Sequence, residues 1–132
     1  IRCTGANADL SAIPFQNEVE KLLGCALATA DLLGQMAAPD YVDKLPVLFE
    51  EFAEAARSGY DTADKFATFV SARDLMRKTQ DFWNGYVVPR INTEFMGLYR
   101  FLNDPYPEGP NAYVQRVEEN LARLRRELEA VA

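Results

Sequence analysis

The sequence predicts an all-α fold, and three observations predict it. Apolar residues recur at spacings of three and four along most of the 132 residues, the period of a helix with one buried face. Capping and breaking residues (Asn17, Pro39, Gly59, Ser71 and the run from Asn103 to Pro110) fall where those periods begin and end. No stretch alternates apolar and polar residues well enough to compete as a strand. With 48% hydrophobic and 26% charged residues the chain has a globular composition, and its length suits a single domain with a real core. We expect one domain over residues 1–132, with five to six helices.

Residues 1–16 read as an irregular lead-in, because Gly5, Asn7 and Pro14 discourage regular structure. Asn17 followed by Glu20 is a capping-box pattern, which opens a helix running to about Ala38, before Pro39. That helix is apolar nearly all round, from Val19, Leu22 and Leu23 to Leu33 and Met36, so it is expected to be central and buried. Asp40 to Ser58 forms the next helix, kinked or restarted at Pro46 and ended by Gly59. Asp61 or Thr62 caps a helix through Val70, and Ser71 caps a short turn ending near Lys78. Thr79 then opens an aromatic-rich helical segment to Leu102, bent at Pro89. Residues 103–111 are a Pro/Gly loop. The last helix, Ala112 to Ala130, carries Val114, Val117, Leu121, Leu124, Leu128 and Val131 on one seam, supported by Glu119–Arg123 and Arg125–Glu129 pairs.

Composition excludes several functions. The net charge of -6 disfavours nucleic acid, whose binding draws on Lys and Arg at phosphates. No apolar stretch approaches the ~18 residues of a membrane span, and no secretory signal is visible, so a cytoplasmic location is expected. Cys3 and Cys25 lack metal-ligand spacing and read as one terminal thiol and one small buried residue. The chain contains no histidine, so it cannot by itself complete a Ser-His-Asp triad, a Cys-His pair or a histidine-bearing metal site.

Among the candidate functional residues, Asp31 is the most informative. It lies mid-helix on a stripe with Gly24, Ala28 and Gln35, the small and polar side of the first helix. The stripe is either the wetter side of that helix, with Asp31 solvated, or a place of close approach with a carboxylate that needs a partner or a metal. Glu50, Glu51 and Glu54 read as a solvated face, and the aromatics from Phe82 to Tyr106 as core. The terminal seam reads as packing against the domain itself, since it spans under three heptads.

The strings Cys3-Thr4-Gly5, Leu22-Leu23-Gly24-Cys25, Thr29 to Ala37, and Tyr41 with Lys44-Leu45 resemble the C-terminal half of HD-domain proteins, with looser likeness at Leu75–Thr79 and Gly97–Leu102. That superfamily comprises all-helical, metal-dependent phosphohydrolases. The resemblance implies that Asp31 matches the last metal ligand, an oxygen donor to a divalent cation that activates water against a phosphoester. The His and His-Asp ligands of the pattern are absent. Either they lie on helices upstream of Ile1 in a longer parent, which the opening on Ile1 favours, or this is a degenerate member that never bound metal; the 132 residues alone are expected to be inactive. The rival expectation is a non-catalytic helical interaction or oligomerisation domain, using the Asp31 stripe or the terminal seam. A further expectation is that the Val19–Leu33 helix, deprived of upstream neighbours, exposes an apolar patch that favours a homodimer.

Overall fold

The computed structural model describes residues 3–4, 9–57 and 71–130. Among them the fold is all-α, as the periodicity predicts. The helix α1 spans Glu18–Ala37, and Asn17 caps it by accepting a hydrogen bond from the Glu20 N–H at 2.9 Å. Ala38 and Pro39 turn the chain through 110° into α2, Tyr41–Arg57. Pro46 lies inside α2 without restarting it. The expected helix end at Gly59 and the expected helix from Asp61 or Thr62 to Val70 lie outside the described residues.

Ser71 caps α3, Ala72–Phe82, through the Asp74 N–H at 3.1 Å. The break expected near Lys78 does not exist. Thr79 is buried, and its hydroxyl donates to the Leu75 carbonyl at 2.8 Å, so a residue that reads as a cap is satisfied inside the helix. The rod continues through a π-helical turn, Trp83–Val87, into a short α4, Val88–Asn92. In that turn the Val88 N–H reaches the carbonyl of Trp83, five residues back. Pro89 has no N–H to offer the Gly85 carbonyl, and the wider turn just before it absorbs the irregularity.

The aromatic helix expected to reach Leu102 ends earlier. Met96 and Gly97 both take left-handed backbone, and the Gly97 N–H closes on the Ile91 carbonyl at 2.9 Å. A 3-10 turn, Leu98–Leu102, follows. The loop after it is held by Asn111, whose amide donates to the Tyr99 carbonyl and to Asn103 Oδ1, and whose Oδ1 accepts from the Tyr113 and Val114 N–H groups. Asn111 thereby caps α5, Ala112–Ala130. Four helical rods result among the described residues: α1, α2, the joined α3–α4 and α5.

The main core joins Cys25, Ala28, Leu32, Leu33 and Met36 of α1 to Trp83, Val87, Ile91 and Phe95, with Val117 and Leu121 of α5 closing it. A smaller core gathers Val42, Leu45, Leu75 and Leu124 where α2, α3 and α5 meet. The seam of α5 therefore packs on its own domain, as expected. Asn120 on α5 donates to the Met36 and Ala38 carbonyls at 2.8 and 2.9 Å, satisfying acceptors that the end of α1 leaves open. Arg123 pairs with Asp43 of α2 at 2.6 Å and with Glu127 at 2.8 Å; it is drawn across to α2 and not back to Glu119.

The lead-in is less loose than its composition suggests. Leu10 sits in a 3-10 turn, Leu10–Ala12, and is buried in the main core. Its N–H donates to Glu94 Oε1 at 3.3 Å.

Candidate functional site

The first helix is not the all-round buried rod that its apolarity suggests, and it does carry the exposed apolar patch expected on Val19–Leu33: one face is buried and the other is open. Gly24, Cys25, Ala28, Thr29, Leu32, Leu33, Met36 and Ala37 face the core. On the opposite side Val19, Leu22, Leu23 and Leu27 are 65%, 41%, 64% and 41% exposed, and Ala26, Ala30 and Gly34 are exposed beside them. The all-round apolarity thus has two causes. Half of it builds the core, and half of it forms a surface stripe at the same helical spacing.

The stripe has a direction. Its large side chains run from Val19 to Leu27, broken by Ala26, and only small ones, Ala30 and Gly34, follow toward the C-terminal end. At that small end it runs into a cavity of about 630 Å³ in the corner between α1 and α2. Gly34, Ala38, Tyr41, Leu45, Val47 and Leu48 supply its apolar walls. Lys44, which is ion-paired to Asp40 at 2.9 Å, and Glu51 stand at the polar margin. Burial pushes the pKa of the Tyr41 hydroxyl up to about 12.

Asp31 lies at the edge of this stripe, half-buried, and accepts a hydrogen bond from Gln35 Nε2 at 2.9 Å. The predicted stripe of Gly24, Ala28, Asp31 and Gln35 is divided by the fold. Gly24 and Ala28 turn into the core, while Gln35 is exposed and lines the cavity. Gly24 does serve close approach: a Cβ there would lie 2.8 Å from the Phe15 ring and 3.1 Å from Cys3 Sγ. Among the described residues no three His, Cys, Asp or Glu side chains stand together as a metal-binding group. Glu50, Glu51 and Glu54 are exposed, in keeping with a solvated face.

The aromatics divide as well. Trp83 and Phe95 are buried, and Phe82, Tyr86 and Tyr99 pack against the core. Phe101 and Tyr106, expected in the core, are exposed and stack on one another at 5.2 Å.

Sequence reasoning missed one cluster. Arg90 makes a two-pronged salt bridge to Glu94 (2.8 and 3.0 Å), donates to the Tyr86 hydroxyl, and lies over the rings of Tyr86 and Phe95. Burial works against the Arg90 charge, but the bonds to Glu94 and Tyr86 more than restore it. The i, i+4, i+8 spacing of Tyr86, Arg90 and Glu94 was the available signal. Since Glu94 also receives Leu10, the cluster is a clamp holding the lead-in to the turn after α4.

Residues 13–103, more than half of the chain, match the Npun_R2479-like family. The chain belongs to that family. The matched stretch of this Npun_R2479-like domain contains the whole α1 stripe, both walls of the cavity and the Tyr86–Arg90–Glu94 cluster without its partner Leu10, and it ends at the start of the Pro-rich loop. No curated protein and no solved structure matches the chain. Among the described residues no single helix is long and apolar enough to cross a membrane.

Proposed function

We propose that this domain is a helical interaction module whose working surface is the outer face of α1 together with the α1–α2 cavity. One observation carries the reading: four large aliphatic side chains, Val19, Leu22, Leu23 and Leu27, project from one helix face into solvent. Scattered exposed aliphatics are ordinary, whereas aliphatics gathered on one helix face are what a docking surface presents. The helical spacing of the stripe and its small residues suit another α-helix laid along it, with the small side chains allowing close axial approach. The test is capture of partners by the wild-type chain and by Leu23→Glu, each checked by circular dichroism for an unchanged fold. Polypeptide retained by the wild type and released by the variant is the expected outcome. Identical retention by both proteins would remove the stripe from consideration.

The phosphohydrolase reading is a proposal about a longer polypeptide. Its support is the resemblance around Asp31, and the half-buried place of that carboxylate on the rim of the stripe is compatible with a ligand shared with other elements. A parent chain carrying the His and His-Asp ligands would bind a divalent cation, and Asp31→Asn would weaken that binding about 10-fold or more. Isothermal titration with Mn²⁺ or Zn²⁺ would read this, and unchanged affinity would end Asp31's candidacy.

A further inference from the structure

We infer that the occupant of the α1 stripe is a second copy of this chain, paired antiparallel about a two-fold axis so that the large end of each stripe lands on the small end of the other. The inference rests on the interaction-module reading and adds the identity and orientation of the partner.

The argument starts from the order of sizes along α1. If the axis passes between Ala26 and Leu27, Leu23 of one copy faces Ala30 of the other, and Val19 faces Gly34. Every bulky residue near the centre line then meets a small one, the interdigitation that dense packing requires. A parallel pair would set Leu23 against Leu23 and Gly34 against Gly34, leaving a bulge at one end and a gap at the other. Two-fold interfaces use one patch twice, so a patch with a large half and a small half is self-complementary only in the antiparallel sense.

The cavity is a second observation, continuous with the stripe at Gly34. It lies at the small end, walled by Gly34 and Ala38 of α1 and by Tyr41, Leu45, Val47 and Leu48 of α2. In the antiparallel pair the first turn of the second copy's α1, with Val19, arrives there. Val47, exposed at the mouth, would be covered by it. The space that the 110° corner leaves open is therefore the space that the pairing fills.

One helix face and the walls of one cavity make a small interface, so a reversible monomer–dimer equilibrium is expected, not an obligate dimer. A lipid surface suits the stripe less well. Interfacial helices flank their apolar face with Lys and Arg, whereas here Glu20 and Asp31 border the stripe in a chain of net charge -6.

Sedimentation equilibrium of the 132-residue chain tests the inference with two variants. Leu23→Glu should lower the association constant at least ~100-fold, because the symmetry axis counts each substitution twice. Gly34→Leu is the sharper probe. A Cβ at Gly34 meets nothing within 4 Å and the position is exposed, so the variant should fold, which circular dichroism would check. It fills the landing site of Val19, so dimerisation should fall at least about 10-fold although the surface has become more apolar. Stronger association of Gly34→Leu would mean an unspecific sticky patch and would overturn the antiparallel geometry. A wild-type chain that remains monomeric to about 1 mM would overturn the second copy as occupant. In that event, a foreign polypeptide held by the wild type and lost with Leu23→Glu would leave the interaction-module reading standing. Loss of both would end it. A monomer that co-sediments with phosphatidylcholine vesicles would assign the stripe to lipid and overturn the inference.

Discussion

Cys3 and Cys25 flank Gly24 in space, yet their thiols have different prospects. Cys25 is fully buried in the main core, and burial pushes its thiol up, so little thiolate forms at neutral pH. Cys3 is partly exposed. Iodoacetamide should therefore modify Cys3 first and reach Cys25 only on unfolding, as peptide mass spectrometry would show; equal rates in the native protein would contradict the burial. Asn120 is a second residue whose role is specific. Its amide satisfies two carbonyls at the end of α1, so Asn120→Ala should destabilise the fold by about 1–3 kcal/mol in urea unfolding. No loss would mean that water replaces the amide there. At Asp43 the Arg123 hydrogen bond holds the carboxyl below its ordinary value. Because the folded-state value is the lower one, this link between α2 and α5 is complete above the unfolded-state value of about 3.9 and fades as pH falls through the folded one. A carboxyl NMR titration of Asp43 should move up toward the ordinary value in Arg123→Ala.

At the scale of elements, α1 combines two duties that pull its sequence the same way. Its inner face must be apolar to make the core, and its outer face is apolar as the proposed docking role requires. Helix propensity gives a test of where the outer face is open. Gly34 is exposed in the last turn of α1 with ordinary backbone and empty space where a Cβ would stand. Gly34→Ala should therefore stabilise α1 by about 0.5–1 kcal/mol. The measurement belongs in the Leu23→Glu background, where pairing contributes nothing; a destabilised Gly34→Ala would show that the site is not open. The rod from Ala72 to Asn92 is the other instructive element. Its periodicity reads as two segments parted at Thr79 and bent at Pro89. The buried Thr79 hydroxyl bonds within the helix, and the π turn before Pro89 keeps the rod continuous.

For the whole molecule, a charge of -6 per chain opposes self-association through a face bordered by Glu20 and Asp31. A two-fold pair would bring like edges together, so dimerisation driven by apolar burial should tighten as salt rises from about 0.01 M to 0.3 M, where the Debye length falls below ~10 Å. Sedimentation at the two salt concentrations would check this; weakening with salt would point to ion pairs in place of the stripe.

What was legible in advance follows from local physics. The caps at Asn17 and Ser71, the stop before Pro39, the loop at 103–111 and the inward seam of α5 depend on backbone hydrogen bonds and 3.6-residue periodicity, which a chain segment carries within itself. So does the absence of imidazole. What periodicity cannot say is which apolar face finds a neighbour. In α1 the inner and outer faces are equally greasy by sequence. Only the placement of Trp83, Val87, Phe95, Val117 and Leu121 against one of them makes it core and leaves Val19, Leu23 and Leu27 to solvent. The sequence by itself determined the fold class, the starts of α1 and α3, the stop before Pro39 and the last helix. The tertiary structure decided which side of α1 is surface, and with it the stripe and the cavity, because burial is a property of contacts between distant segments and not of any one of them.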